Sequence, residues 1–279
     1  KAGWDTHGLP VEIEVEKSLG LDGKPEIEKY GIEAFNKKCK ESVFTYEGLW
    51  RKMTEQMGYW VDLDNPYITL DNNYIETVWW ILNDFFKRDL LYKGHKIVPY
   101  CPKCGTPLSS HEVAQGYKDV NDPSVFVKFK AKEMENTYFL AWTTTPWTLL
   151  SNVALVVNPK ESYVKIKLAE TQENLVLAKA RLSVVAEDYE IVEEYLGQDL
   201  EHKRYERLYD FLDVEEDGWY IGIADYVTMD DGTGVVHTAP AFGADDYNIG
   251  MKYKLPFINL VDGEGKFIEA VEPWQGIFV

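Results

Sequence analysis

The sequence predicts an α+β fold in which a helical part precedes a strand-rich part. Two periodicities indicate this. Apolar residues recur every three or four positions after Gly31, as on one face of a helix. From Ser124 onward, apolar and polar residues alternate, as in strands with one buried face. The pattern changes near Asp119–Pro123, so we predict a domain boundary near residue 120.

Two long helices are predicted before this boundary. The first carries one apolar stripe, formed by Ile32, Phe35, Cys39, Val43, Tyr46, Trp50, Met53 and Met57. We interpret Cys39 on this stripe as a core residue. The second helix runs from Asn72 to about Leu91 and is dense in large apolar groups. We therefore expect it to be buried on more than one side.

Several strands and a short helix are predicted after the boundary. The strand candidates are Ser124–Lys130, Tyr138–Trp142, Val153–Val157, Tyr163–Leu168, Leu175–Ala178 and Trp219–Val227. The glycines of Gly232-Thr-Gly234 interrupt the late strands, and a helix is expected from Ala244 to Tyr253. Residues 1–120 and 121–279 are therefore the two predicted domains.

Composition restricts the class of protein. The 279 residues are 45% hydrophobic with 9 Trp and 18 Tyr, which suits a sizeable core and excludes a disordered chain. Three cysteines are too few for a disulfide framework and favour a reducing, cytoplasmic compartment. No apolar run reaches the roughly 20 residues that a membrane helix needs, so we expect no membrane partner. The chain starts at Lys1 without Met, and we expect a piece of a larger protein.

The net charge constrains the partners. It is −18, from 29 Lys and Arg against 47 Asp and Glu. Tight nucleic-acid binding needs clustered cations, so this balance argues against it. The ordinary interpretation of the excess acid is solubility, and any RNA-related function must explain it.

The first motif spans Gly3 to Glu12 and has the sequence GWDTHGLPVE. Two glycines, an Asp, a His and a Pro suit a tight turn that presents polar groups at the end of a strand. An ordinary turn fits the same residues equally well.

The second motif is the pair Cys101 and Cys104, followed by Gly105. Two thiolates on one tight turn form half of a tetrahedral zinc site. No second cysteine pair exists, and His111 suits a solvent-exposed position better than a third ligand. A redox pair lacks the surrounding βαβ pattern.

The third motif is the run of three threonines from Thr143 to Thr145, followed by Pro-Trp-Thr. Clustered hydroxyls at a strand end can hold a water, an ester or a ribose. Threonine also favours strands for steric reasons alone. For three consecutive threonines we favour function.

The fourth motif runs from Gly232 to Tyr247 and contains His237, Thr238, Asp245 and Asp246. His, Thr and Asp close to flexible glycines form a plausible polar pocket. Carboxylates near a helix start often only complement the helix terminus, and we prefer that interpretation for Asp245. No Gly-x-Ser-x-Gly elbow and no phosphate-binding P-loop occurs.

The third and fourth motifs resemble the two signature segments of the isoleucyl-tRNA synthetase editing domain. The first motif resembles the segment shortly after the ATP-binding motif of that family. The three matches follow the family order and span nearly the whole chain. Leucyl and valyl enzymes have Arg-Pro after the threonine pair, whereas Thr-Thr-Thr-Pro-Trp here favours the isoleucyl family.

The resemblance implies a piece of a class I catalytic domain over residues 1–120 and a barrel-like mixed-sheet editing domain over 121–279. It implies a parent enzyme, an isoleucine–tRNA ligase, that uses ATP with Mg²⁺, and hydrolysis of misacylated valyl-tRNA-Ile at the editing site. The expected partners are the 3′ end of tRNA-Ile and valine or isoleucine esters. A cytoplasmic monomer is expected, with Zn at most at an incomplete knuckle formed by Cys101 and Cys104.

Residue roles also follow from the resemblance. Asp246 pairs with the substrate ammonium group, and His237 blocks the extra methylene of isoleucine. Thr144 and Thr145 position the ester and the attacking water. The further substrate-binding candidates are Thr143, Trp147, Thr148 and Asn152. Asp5 belongs to the amino-acid activation site.

The chain departs from the family pattern in three ways. Leu150 stands where the family has Pro after Trp-Thr-Leu. The His-Ile-Gly-His-type and Lys-Met-Ser-Lys-Ser-type ATP motifs are absent, so this chain is not expected to activate an amino acid. The second cysteine pair of the family is absent as well.

Two alternatives remain open. One is a free-standing or valyl/leucyl-type deacylase, which would hydrolyse threonyl or leucyl esters. The other is a zinc-knuckle module that binds RNA without catalysis, in which the threonine-rich strand is structural.

Overall fold

A computed structural model describes all residues, 1–279, and divides them into two compact units. The first comprises residues 1–95 and 103–106, and the second comprises 96–102 and 107–279. Helices dominate the first unit and strands dominate the second, which confirms the predicted α+β class. The domain boundary near residue 120 stays a prediction.

The first unit contains strands β1 (Gly3–Trp4) and β2 (Tyr67–Ile68), which pair in parallel. Its helices are α1 (Leu9–Leu19), α2 (Lys24–Tyr30), α3 (Ile32–Gln56) and α4 (Asn72–Lys87). Val15, Ile27 and Phe35 form its small core, and Cys39 packs against them as predicted.

Helix α4 differs from the expectation. No residue of α4 is buried, and Trp79 and Trp80 are 72% and 69% exposed. The prediction of burial on more than one side is therefore wrong for this chain. A high density of apolar side chains shows that a helix is able to pack against other elements, but burial also requires an element that packs on it.

The short elements β3 (Tyr100–Cys101), β4 (Thr106–Pro107) and α5 (Ser110–Gln115) follow. The strands of the second unit are β5 (Val125–Lys130), β6 (Thr137–Thr143), β7 (Ala154–Val157), β8 (Ser162–Leu168), β9 (Asn174–Ala178), β10 (Tyr189–Leu196), β11 (Tyr220–Ile223) and β12 (Val235–Thr238). Helix α6 spans Ala244–Tyr253, with the predicted bounds. None of the helices is long and apolar enough to cross a membrane.

Two mixed sheets form the second unit. The larger has the order β10-β8-β9-β6-β5, in which only β6 and β9 are parallel. The smaller has the order β11-β7-β12, with β7 and β11 parallel. Each sheet has two edge strands and neither closes into a barrel.

The core of the second unit explains why these segments form strands. Phe129, Phe139, Leu155 and Tyr163 are fully buried in one cluster to which both sheets contribute. Alternating positions of β5 face this cluster, as the period of two predicted. Strand β12 packs against β6, which brings the ends of these two strands together. The third and fourth motifs lie at those ends.

Candidate functional site

A cavity of about 340 Å³ lies where β6 and β12 meet. Its lining comes from three places: residues 142–148 at the end of β6, residues 226–237 leading into β12, and Phe242 and Asp246 around the start of α6. The third and fourth motifs therefore form one site, and the contact between Thr148 and His237 joins residues 89 positions apart in sequence.

The threonine run turns away from β6 immediately after that strand ends. Pro146 opens a 3-10 helix, Pro146–Ser151, and suits its first turn because it needs no backbone donor there. The Thr143 hydroxyl accepts a hydrogen bond from the Thr145 amide at 3.0 Å, and the Thr148 hydroxyl donates one to the Thr145 carbonyl at 2.8 Å. These local bonds hold the side chains of the run at the cavity, while Thr144 and Thr145 remain exposed.

His237 forms the buried end of the cavity and is 9% exposed. Its Nε2 lies 2.9 Å from the Thr148 hydroxyl, and its Nδ1 lies 2.9 Å from Asn152 Nδ2. Burial lowers the pKa of His237 to about 4, so the imidazole is neutral near pH 7. Both ring nitrogens are engaged within the protein, which leaves neither free to act as a general base.

Asp246 lies in the first turn of α6, and its side chain lines the cavity. Burial raises the pKa of the Asp246 carboxyl to about 6. The Ala239 amide, which donates to the carboxylate, lowers this pKa, and the neighbouring Asp245 carboxylate raises it. Asp246 forms no salt bridge. It is therefore ionised near pH 7, partly desolvated and without a counter-ion, which favours an added cation.

All charged side chains that line the cavity are negative. Two carboxylates, Asp231 and Asp246, line it, and no Lys or Arg does. Such a lining attracts an ammonium group and repels phosphate or carboxylate groups. The cavity thus suits the amino-acid end of a substrate, whereas a phosphate must stay outside it.

Glycines and an arginine shape the loop opposite the threonines. Gly234 has a φ of +73°, and a Cβ there would lie 2.4 Å from the Ala178 Cβ, so no other residue fits. Arg181 Nε donates to the Gly232 carbonyl at 2.9 Å, and Arg181 Nη1 donates to the Asp230 carbonyl at 3.1 Å. This side chain ties the cavity loop to the larger sheet.

The structure places the predicted site residues in different positions. Thr143, Thr144, Thr145, Thr148, His237 and Asp246 all line the cavity. Asn152 does not reach its surface, because it is 5% exposed and lies behind His237. Trp147 faces other cavities and packs edge-on against Phe242 at 4.9 Å. Asp5 lies in the first unit and is 85% exposed on its side chain.

Sequence reasoning missed three residues around the cavity. Tyr226 lines it, and its buried hydroxyl has no well-formed hydrogen bond. Phe242 also lines it and lies inside the fourth motif, so its position there was a usable signal. Tyr205 donates a hydrogen bond to Asn152 on the side away from the cavity, and it lies in a segment without any motif.

No metal centre is evident among the predicted ligands. The chain contains no group of three or more His, Cys, Asp or Glu residues that could hold a metal ion. A structural zinc site takes four ligands, and zinc at Cys101 and Cys104 stays a prediction. His111 lies on α5 and is exposed.

Sequence comparisons agree with the motifs. The chain is 60% identical over 279 residues to isoleucine–tRNA ligase of Clostridium acetobutylicum, covering 100% of this chain and 27% of that protein. It is 55% identical over 280 residues to isoleucine–tRNA ligase of Bacillus thuringiensis, again covering 100% of this chain and 27% of the relative. The chain thus spans about a quarter of the length of these relatives.

Among solved structures, the P. knowlesi cytosolic leucyl-tRNA synthetase editing domain matches with a TM-score of 0.39 and 16% identity, over 46% of this chain and 63% of that one. Nothing about fold or function follows from a likeness this low. The model of the tRNA synthetases class I (I, L, M and V) matches residues 1–251. The chain therefore belongs to the class I tRNA synthetase family.

Proposed function

We propose that this chain carries the editing site of an isoleucine-specific class I tRNA synthetase and hydrolyses the valyl ester of tRNA-Ile. The observation that carries the proposal is the single cavity that combines an unpaired carboxylate, a neutral buried histidine and a run of threonine hydroxyls. The 60% identity to an isoleucine–tRNA ligase supports isoleucine as the amino acid of the parent reaction.

Asp246 supplies recognition of an amino-acid ester. Its carboxylate has no ion pair and lies partly desolvated beside Tyr226. The α-ammonium group of an aminoacyl ester supplies the missing positive charge. A charge-assisted hydrogen bond of this kind is worth about 1.5–3 kcal/mol.

His237 supplies selection by size. A site built for isoleucine cannot exclude the smaller valine by sterics. The missing methylene is worth only about 1–3 kcal/mol, a magnitude that was established on isoleucyl-tRNA synthetase itself. A second, smaller site must accept valine and reject isoleucine. Two hydrogen bonds hold the His237 ring at the end of the cavity, so the ring cannot move aside for a longer side chain.

The hydroxyls of Thr144 and Thr145 position the reacting groups. Thr144 is exposed and lines the cavity, so its hydroxyl is accessible to a water or a ribose. Water attacks the ester carbonyl, the bond to the ribose oxygen breaks, and that oxygen takes the proton. With His237 excluded as a base, positioning of the water and the neighbouring ribose hydroxyl account for the rate.

The acidic charge fits this proposal. Only the single-stranded 3′ end of a tRNA needs to approach the cavity. With a net charge of −18, we expect weak affinity of the 279-residue chain for tRNA. Cytoplasmic location and a monomeric state stay predictions.

The proposed ester hydrolysis consumes only water, so we propose it without a role for ATP or zinc. The two ATP motifs of the family are not in this sequence, and ATP with Mg²⁺ stays a prediction for the parent enzyme. Three companion ligands for zinc are not assembled around any cysteine. ATP-dependent attachment of isoleucine is proposed only for the parent enzyme.

The test is the substrate range of the chain. We expect release of valine from valyl-tRNA-Ile and none of isoleucine from isoleucyl-tRNA-Ile. Release of threonine or leucine from their tRNA esters instead would indicate the deacylase alternative. Stoichiometric zinc without any ester hydrolysis would indicate the RNA-binding alternative.

A further inference from the structure

Behind the cavity lies a chain of buried hydrogen bonds that begins at Tyr205. The Tyr205 ring is fully buried and packs edge-on against Phe129 at a centroid distance of 5.3 Å. Its hydroxyl donates to Asn152 Oδ1 at 2.7 Å. Tyr205 does not line the cavity, so any effect on the site must pass through Asn152.

The orientation of the Asn152 amide follows from its neighbours. One side-chain atom lies 2.9 Å from the Ala154 carbonyl oxygen, which only accepts, so that atom is the nitrogen Nδ2. The second hydrogen of Nδ2 points to His237 Nδ1 at 2.9 Å. Nδ1 must then be the acceptor nitrogen of the ring, and the proton of the neutral imidazole lies on Nε2.

The same logic continues into the cavity. Thr148 uses its only hydroxyl proton on the Thr145 carbonyl at 2.8 Å. Its oxygen therefore accepts the proton of His237 Nε2 at 2.9 Å. The Thr145 hydroxyl lies 3.4 Å from the Thr148 oxygen and 3.3 Å from the Thr143 oxygen. Every donor from Tyr205 to Thr148 points the same way, so the chain has one proton order.

We infer that Tyr205 is a positioning residue of the site: together with the Ala154 carbonyl, its hydroxyl holds the Asn152 amide in one orientation, and through Asn152 it favours the Nε2–H tautomer of His237. The catalytic part of this inference rests on the proposed function; the tautomer does not. Without the Tyr205 hydroxyl, Asn152 Oδ1 loses its one hydrogen-bond donor. The Ala154 carbonyl alone then orients the amide, so its preference for one orientation weakens and the opposite His237 tautomer becomes accessible.

The experiment uses Tyr205→Phe, which keeps the ring and its contact with Phe129. Nitrogen NMR of His237 in the 279-residue chain reports which ring nitrogen carries the proton. We expect Nε2–H in the parent chain and a mixture of tautomers in the variant. For valyl-tRNA-Ile hydrolysis we expect kcat to fall about five- to tenfold, the size of one lost buried hydrogen bond, with little change in KM.

Tyr253→Phe is the matched control. The Tyr253 hydroxyl is hydrogen-bonded as well, accepting from the Ile223 amide at 3.0 Å and donating to Glu201 at 2.6 Å, but it lies away from the cavity. We expect this variant to leave the His237 signals and kcat unchanged. Equal losses of kcat in both variants would overturn the positioning role and indicate a general loss of stability.

A double-mutant cycle keeps the inference testable if Tyr205→Phe is destabilised. If Tyr205 acts through His237, the kcat losses of Tyr205→Phe and His237→Gln are not additive. Additive losses, or an unchanged Nε2–H signal in Tyr205→Phe, would overturn the inference. If the parent chain hydrolyses no ester, the proposed function fails, and the NMR comparison still decides whether Tyr205 sets the tautomer.

Discussion

The substitution Asp246→Asn tests two effects of the Asp246 carboxylate: how much its burial destabilises the fold, and how much its charge contributes to hydrolysis. The substitution keeps the shape of the side chain and removes its charge. Folding raises the pKa of Asp246 from 3.8 to about 6, so the folded protein disfavours the ionised form. A shift of about two units corresponds to about 3 kcal/mol at roughly 1.4 kcal/mol per unit, and partial exposure reduces this to about 1–3 kcal/mol.

The sign of the effect on stability follows from the direction of the shift. A carboxyl whose pKa is raised on folding contributes stability below its unfolded pKa and loses it as the pH rises through the folded pKa. For Asp246 this window runs from 3.8 to about 6. Asp246→Asn should therefore match the parent chain in stability below pH 3.8 and exceed it by about 1–3 kcal/mol above pH 6.

The same variant should lose activity. Without the carboxylate, the substrate ammonium loses a charge-assisted hydrogen bond of about 1.5–3 kcal/mol, which is a roughly 10- to 150-fold loss in kcat/KM. The assays are urea unfolding at the two ends of the pH window and hydrolysis of valyl-tRNA-Ile. Asp245→Asn is the control for the activity assay, because Asp245 is exposed and does not line the cavity. A variant that is less stable above pH 6, or as active as the parent chain, would refute the reasoning.

Three further predictions concern the same cavity. His237→Ala should let the site hydrolyse isoleucyl-tRNA-Ile, and continued rejection of that ester in a deacylation assay would remove His237 as the size filter. Hydrolysis of valyl-tRNA-Ile should fall up to tenfold per pH unit below about pH 6, since protonation of Asp246 removes the charge that binds the ammonium; a flat pH profile between about 5 and 7 would contradict this. Arg181→Met should raise KM severalfold by releasing the carbonyls of Gly232 and Asp230, whereas Lys179→Met, which breaks only an exposed ion pair with Glu194, should not.

Local patterns predicted the elements of the fold well where one face is buried. Helix α6 has the predicted bounds, and β5 shows the alternation that its sequence indicates. Strand β10 was missed, because it is an exposed edge strand whose glutamates interrupt the apolar residues and leave little contrast between its two faces. Helix α4 was assigned correctly, but its exposure depends on what covers it, which its own sequence does not encode.

The site was predicted unevenly for a physical reason. Thr145, His237 and Asp246 belong to compact motifs whose polar residues have no structural requirement to cluster. Tyr205 lies 53 positions from Asn152 in the sequence, and a single buried tyrosine resembles any core aromatic residue. Tertiary contact, and not local pattern, makes Tyr205 part of the site.

The central claim is that the cavity around Asp246 and His237 is an editing site. The most direct measurement is deacylation of valyl-tRNA-Ile by the 279-residue chain, with isoleucyl-tRNA-Ile as the matched substrate. We predict selective release of valine that is lost in Asp246→Asn. Release of both amino acids at equal rates, or selective release that persists in Asp246→Asn, would contradict the claim.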